Sequence, residues 1–414
     1  MLSSKSQNFP STMEGFQTDS DSSPRIVQWF LDTRPLWPVP KQAKSQDEVQ
    51  ALKTVVSIPF YTRTAFSSAQ CPLNPTGHKP AHTNQAAKEL SLLSEPEQKS
   101  ILRYHHIRDA KTKLASHLVK HFVITKYGNV PWSQSNISRG EKGKPFFQSP
   151  NPNPNPNPSS DTAAYSDPIS RLDFNVSHQA GIVSLIAAIN FPTKIDVGTD
   201  VVCVKERQKM DHAYIDREGF FAWVGMHADV FAEVELSEMK LKPVPVDLRV
   251  RGATLAGYGM DAISRCQWRG QVVSVKAFGR DGGDFEVKVQ SDKVVDGKVR
   301  RFYAFWCLRE AFVKMTGEAF AAPWLKELEI LGVDAPTPYF GAGEESDLRE
   351  GEVKTEFNIA LRGKKLMDVK MELTALGDQY MIAGAVRVPP GQSIEMGRWV
   401  ELDLKDILEL AEGS

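Results

Sequence analysis

The chain has 414 residues, enough for a sizeable core and roughly two or three domains by length. Lys and Arg number 50 against 51 Asp and Glu, so no overall charge steers the protein to nucleic acid or a membrane, and any anion site has to be a local cluster of cations. The four cysteines (Cys71, Cys203, Cys266, Cys307) lie far apart with no C-x-x-C pair, which argues against a disulfide framework or a cysteine zinc site and suits a reducing compartment.

In chain order, residues 1–24 read as a disordered tail rich in Ser, Gln and Asp, with no apolar secretory core. RIVQWFLDT (25–33) reads as the first strand. After a Pro-punctuated stretch, residues 94–128 read as helix, with Ser94 as N-cap, Glu97 completing a capping box, and Leu102, His106 or Ile107, Ala110, Leu114, Leu118 and Phe122 on one apolar face. NPNPNPNPSS (151–160) cannot hold regular structure and is expected as an exposed loop. RLDFNVSHQAGIVSLIAAI predicts two strands about Gly181, and KIDVGTDVVCV a third. SDKVVDGKVRR predicts a hairpin around Asp-Gly. RFYAFWCLREAFVKMTG (301–317) predicts a helix ending at Gly317, and DQYMIAGAVRV a further strand. The longest apolar run, around GIVSLIAAINF, is too short to span a bilayer, so the expectation is a cytoplasmic protein. Strand, helix and strands recur twice, which predicts an α+β chain of two similar halves, 25–193 and 194–388, with an extension at 389–414.

The helix at 301–317 carries two stripes. Phe305, Leu308, Phe312 and Met315 form an apolar seam, while Trp306, Glu310 and Lys314 fall on a separate line four residues apart. Taken alone, Glu310 and Lys314 are a surface ion pair worth about 0.2–0.5 kcal/mol. Two other stretches change their weight. FNVSHQ (174–179) supplies a hydroxyl and an imidazole, and VGTDVV (197–202) puts Asp200 just beyond a glycine where the backbone can approach a ligand closely. Two carboxylates, a Lys and a His are what a Mg²⁺–diphosphate site needs, since magnesium shares carboxylates with phosphate oxygens and water.

In this order and spacing, the three stretches resemble the 4′-phosphopantetheinyl transferases of the larger, Sfp-like type, and filamentous-fungal members in particular. That family's pattern is F-N-x-S-H, then G-x-D, then W-x-x-K-E-x-x-x-K on a helix. RDAK (108–111), VPW (130–132), EKGKPFF (141–147) and VFAEVELSEM (230–239) are also similar to family segments. Residues 249–289 have no counterpart and look like an insertion.

The resemblance implies two related α+β halves packed as a pseudo-dimer in a monomeric chain, with the active site in the cleft between them. It implies transfer of 4′-phosphopantetheine from coenzyme A to a serine of acyl, peptidyl or aryl carrier protein domains, with adenosine 3′,5′-bisphosphate released. Asp200 and Glu310 would hold Mg²⁺, Glu310 would also deprotonate the serine, and Lys314 would neutralise developing charge. Ser177 and His178 would contact the coenzyme's phosphates, with Lys144, Arg108 and Lys111 adding anion contacts and Arg103 and Arg139 as lesser candidates. Many bacterial members have a second acid where Val202 stands here, and Gln179 is the candidate replacement ligand. Arg309 takes the place of a Lys and is assigned a phosphate or structural role. The competing expectations are an inactive module that binds coenzyme A or carriers, and a Ser177–His178 hydrolase. The second is disfavoured because adjacent strand residues face opposite ways.

Overall fold

The computed structural model describes residues 23–39, 41, 44–53, 86–140, 143–148, 172–245, 254–255, 258–279, 282–318, 322–339 and 347–414. The expected N-terminal tail up to residue 22 and the Asn-Pro loop lie outside these residues.

Two four-stranded sheets organise the described chain, and helices and sheets together make it a mixed α and β protein. In the first sheet, Arg25–Asp32 pairs antiparallel with Ile182–Ile189, which in turn pairs with Leu172–Gln179. The link between the last two is a tight turn in which Ala180 and Gly181 both take positive φ, 48° and 88°. This is the backbone that lets a two-residue hairpin follow the strand twist. The second sheet runs Glu350–Lys354, Val369–Leu376, Tyr380–Arg387, Val197–Cys203, all antiparallel.

Each sheet has a long helix on one face. Ile107–Gly128 packs on the first sheet through Leu114, Leu118 and Phe122, and Ser291–Thr316 packs on the second through Leu308, Ala311 and Met315. The sheets meet each other through smaller apolar clusters, with Phe30 and Ile182 against Val201 and Ile382, and Ile26 and Ile186 against Val197 and Val386. The chain after residue 388 returns to the first sheet. Trp399–Glu401 pairs parallel with Arg25–Asp32, and Leu404–Gly413 packs on helix 107–128. No described helix is long and apolar enough to cross a membrane.

Two expected elements differ. The helix expected over 94–128 is two helices, Glu95–Leu102 and Ile107–Gly128, separated at residues 103–106. Its capping box is present, with Glu97 Oε2 accepting from the Ser94 backbone N–H at 3.0 Å. The hairpin expected around Asp296-Gly297 is instead the first turns of helix 291–316. Val294, Val295, Val299 and Phe302 extend its buried seam, and buried Lys298 donates to the carbonyls of Lys240, Ser264 and Cys266 at 3.0, 2.6 and 2.8 Å. These tertiary contacts outweigh the roughly 1 kcal/mol that a helical glycine costs relative to alanine. The inserted region contributes a helix, Tyr258–Arg265, and a hairpin of Val272–Phe278 with Asp284–Gln290.

Candidate active site

The site grows out of the contact between strand 197–203 and helix 291–316. A Cβ on Gly198 would lie 2.2 Å from the Ala311 carbonyl oxygen and 2.3 Å from the Met315 nitrogen. The glycine in VGTD therefore admits the helix backbone, not a ligand as the sequence suggested. With the helix this close, Lys314 comes over Asp200, two residues further along the strand. Asn175 fixes the neighbouring strand, its Oδ1 accepting from the Thr199 N–H at 3.1 Å. That contact brings Ser177 to the same point.

Ser177, Asp200 and Lys314 form a closed triangle. The Lys314 ammonium donates to Asp200 Oδ1 at 2.6 Å and to Ser177 Oγ at 2.7 Å, and Ser177 Oγ–H donates to Asp200 Oδ1 at 2.7 Å. Glu310 stands one helical turn before Lys314, with Oε2 3.9 Å from Nζ. The looser contact shows that the intrahelical pair is not the main partner of Lys314. Burial and the charge of Asp200 push the Glu310 carboxyl up to about 7, against the pull of Lys314 and a hydrogen bond from Trp306. Burial acts to lower the Lys314 pKa, but Asp200 and Glu310 raise it above its ordinary value. The two carboxylates and the hydroxyl are oxygen donors, which fit a hard cation such as Mg²⁺, and the Cys307 thiol donates to the Asp200 backbone carbonyl at 3.4 Å.

Trp306 closes one side of this site. Its ring packs on His227, Phe231 and Phe302, and it lines a cavity of about 260 Å³ with Gln179, Val202, Met210 and Met226. A second cavity of about 210 Å³ is lined by Arg108, His178, Gln179 and Glu206. His178 follows Ser177 on the strand, so it lies on the opposite face and lines this second cavity, and no Ser–His dyad forms. Arg108 pairs with Glu206 at 2.9 Å. Gln179 also reaches Glu206, donating at 2.7 Å, while its Oε1 accepts from the Cys203 N–H at 3.3 Å.

Three expected anion contacts lie elsewhere. Lys144 donates to the carbonyls of Val197 and Met315 at 3.0 and 3.3 Å, joining the site strand to the end of the site helix. Lys111 donates to the Leu36 carbonyl at 2.6 Å. Arg309 is buried, paired with Glu235 and donating to the carbonyls of Leu325 and Leu328 at 2.6 and 2.8 Å. Glu235 belongs to the VFAEVELSEM segment, so that segment and Arg309 brace the site helix from behind.

Comparison with known proteins gives the family. The family model for the N-terminal part of 4′-phosphopantetheinyl transferases matches residues 79–190. A 4′-phosphopantetheinyl transferase 1 of Fusarium mangiferae is 33% identical over 395 residues, covering 95% of this chain and 97% of the relative. A 4′-phosphopantetheinyl transferase of Aureobasidium melanogenum is 38% identical over 311 residues, 74% of this chain and 86% of the relative. The chain belongs to the 4′-phosphopantetheinyl transferases. A third relative, 4′-phosphopantetheinyl transferase A of Aspergillus fumigatus, is 29% identical over 364 residues, 78% of this chain and 88% of its own.

This transferase also gathers cations that the sequence reading did not single out. Burial, then the charges of Lys113 and Arg139, push the Lys120 ammonium down to about 7. Among the described residues, buried Lys120 has no ion-pair or hydrogen-bond partner. Lys113 is lowered by burial and by Arg139 and Arg103, and His178 by burial, Lys314, Lys113 and Lys120. The Glu97 carboxylate partly offsets the repulsion between Lys113 and Lys120. Their seven-residue spacing on helix 107–128 was the available signal, but it also fits an ordinary solvated face.

Proposed function

We propose that this transferase moves 4′-phosphopantetheine from coenzyme A to the hydroxyl of a serine on a carrier protein domain, releasing adenosine 3′,5′-bisphosphate. The observation that carries the reading is the Ser177–Asp200–Lys314 triangle beside a Glu310 whose carboxyl is poised near neutrality. Held by Asp200 and Glu310, Mg²⁺ would supply charge neutralisation on the coenzyme's diphosphate.

The chain's own residues have distinct tasks. Glu310 takes the proton from the incoming serine hydroxyl, a step worth typically about 10²–10⁴-fold. The serine oxygen forms a bond to the pantetheine-side phosphorus as the bond from that phosphorus to the bridging oxygen breaks. The bridging oxygen leaves with the adenosine 3′,5′-bisphosphate. Lys314 stabilises the charge that develops there, and Ser177 orients Lys314 and Asp200. Lys113, Lys120, Arg139 and His178 form the basin for the coenzyme's phosphates. The two sheet-and-helix units support reading the chain as two related halves with the coenzyme between them.

Gln179 is the proposed stand-in for the acid missing at Val202. It would coordinate through Oε1, which has to exchange the Cys203 N–H for that role. Changing Gln179→Ala should raise the Mg²⁺ concentration needed for half-maximal rate, and an unchanged requirement rules the role out. The parent reading is tested by mass spectrometry of an apo carrier incubated with coenzyme A, Mg²⁺ and the protein. A gain of one phosphopantetheine per carrier is expected. An unmodified carrier beside protein-bound coenzyme would mean a binding module instead.

A further inference from the structure

Beside Lys113 and Lys120 on the same face of helix 107–128, His117 and His121 lie one turn apart and face Glu97 of helix 95–102. Glu97 Oε1 is 3.0 Å from His117 Nδ1 and 3.0 Å from His121 Nε2. The ligand atoms of all three lie within 4.8 Å of one another, and both histidines are buried. Two of the three outer faces are already held, while the buried His117 Nε2 has no hydrogen-bond partner among the described residues. His121 Nδ1 is 2.7 Å from Ser135 Oγ, and Glu97 Oε2 accepts from the Ser94 hydroxyl at 2.7 Å and its N–H at 3.0 Å.

The hydrogens decide what this cluster can be. Ser135 Oγ–H donates to the Trp132 carbonyl at 2.5 Å, so toward His121 the hydroxyl can only accept. Nδ1 of His121 therefore carries its proton. In neutral His121 the lone pair then sits on Nε2 and points at a lone pair of Glu97 Oε1. Two acceptors 3.0 Å apart need a positive species between them, either an added proton or a metal ion. Burial, partly offset by the hydrogen bond to Glu97, pushes His117 down to about 4, so its imidazole is neutral and can offer Nδ1 as a ligand. Burial acts to raise Glu97, but its contacts with His117 and His121 hold the carboxyl well below the usual range.

We propose that Glu97, His117 and His121 form a second metal site, distinct from the catalytic carboxylates, for a d-block ion such as Zn²⁺. Two imidazole nitrogens and one carboxylate oxygen suit zinc, cobalt or nickel and not magnesium. Tetrahedral ligands at about 2.0–2.1 Å stand roughly 3.3 Å from each other, so the two Glu97–imidazole contacts at 3.0 Å open by only a few tenths of an ångström, and the ligand atoms already lie within 4.8 Å of one another. Ser135 on His121 and Ser94 on Glu97 are the outer contacts that fix ligand orientation at zinc centres. The ion binds the Nε2 lone pair of His121 while the Nδ1 proton stays hydrogen-bonded to Ser135 Oγ. On binding, the single proton of His117 passes from Nδ1, where it faces Glu97, to the unpartnered Nε2, which frees Nδ1 for the ion. Lys113 and Lys120 oppose any cation here through their charge, so the binding comes from the imidazole bonds. Bound metal would pin helix 95–102 to the helix that carries both lysines.

The test uses full-length protein with Asp200→Ala and Glu310→Gln, so that the catalytic carboxylates contribute no binding. After chelator treatment it is titrated with Zn²⁺ by calorimetry. One bound equivalent is expected, and Co²⁺ should give the visible absorption of a tetrahedral site. Ser135→Ala keeps all three ligands and should weaken binding by about 10–100-fold. His117→Ala and His121→Ala should abolish it. Absence of a bound equivalent in the parent, or affinity unchanged by Ser135→Ala and the histidine changes, overturns the site. If the histidine variants do not fold, the parent titration and Ser135→Ala decide.

Discussion

Glu310 links burial to chemistry. Its carboxyl, pushed up to about 7, holds a proton through much of the acidic range, and that proton competes with both metal binding and the base role. At limiting Mg²⁺, transfer should therefore fall by up to about tenfold per pH unit below 7, as expected for one titrating base. A rate profile measured from pH 5.5 to 8.5 that stays flat would contradict this. That Glu310, Asp200 and Lys314 come close together was legible in the sequence because a helix spacing of four and a strand glycine fix their neighbours. The contacts of Lys144 were not, because a cation's sequence position does not say whether it meets a phosphate or a backbone carbonyl. Lys144 meets carbonyls here, and Arg309 takes the structural one of its two expected roles. Lys113 and Lys120 escaped notice because their neighbours in space, Arg139 and His178, come from other elements.

At the scale of elements, Gly198 sets the distance between the site strand and the site helix. Gly198→Ala would place a methyl group against helix backbone that cannot rotate aside. Overpacking of this kind costs about 1–3 kcal/mol or more. Activity should fall further than stability does, because the strand and helix carry Asp200 and Lys314 on opposite sides of the contact. Denaturant unfolding and transfer assays on one preparation check both, and wild-type behaviour in both would refute the close-approach argument. The strands around Gly181 were legible because their apolar runs and turn residues are local. Asp296-Gly297 misled for the converse reason. Its helical state depends on the His212–Asp296 pair at 3.0 Å and on Lys298 binding carbonyls from two other segments. None of these is visible in an eleven-residue window.

For the whole molecule, the junction between the sheets contains a buried acid. Glu372 accepts from the Gln28 side chain across the junction, and burial raises its carboxyl to about 7. The folded state thus keeps a proton that the unfolded chain has released. That share of stability weakens as pH rises from about 4.5 to 7 and stays lost above. Glu372→Gln should remove the loss, and its amide could donate to the buried, unpartnered Gln28 Oε1. The variant should match the parent near pH 5 and exceed it by about 1–3 kcal/mol at pH 8, by thermal or urea unfolding. An equal difference at both pH values would show that Glu372 does not titrate in this range. The alternation of strands and helices revealed a two-part α+β plan, but not that the C-terminal segment completes the first sheet. Three residues of parallel pairing, 399–401, are too short to leave a pattern.

The central claim is that Asp200, Glu310 and Lys314 carry out phosphopantetheine transfer. It is tested most directly by single-turnover transfer from coenzyme A to an apo carrier, comparing the parent with Glu310→Gln at saturating Mg²⁺. Both proteins should first show the same circular dichroism and unfolding transition at pH 6. The account predicts a rate lowered by at least about 10²-fold with the fold intact. A folded Glu310→Gln protein that transfers at close to the parent rate would contradict it.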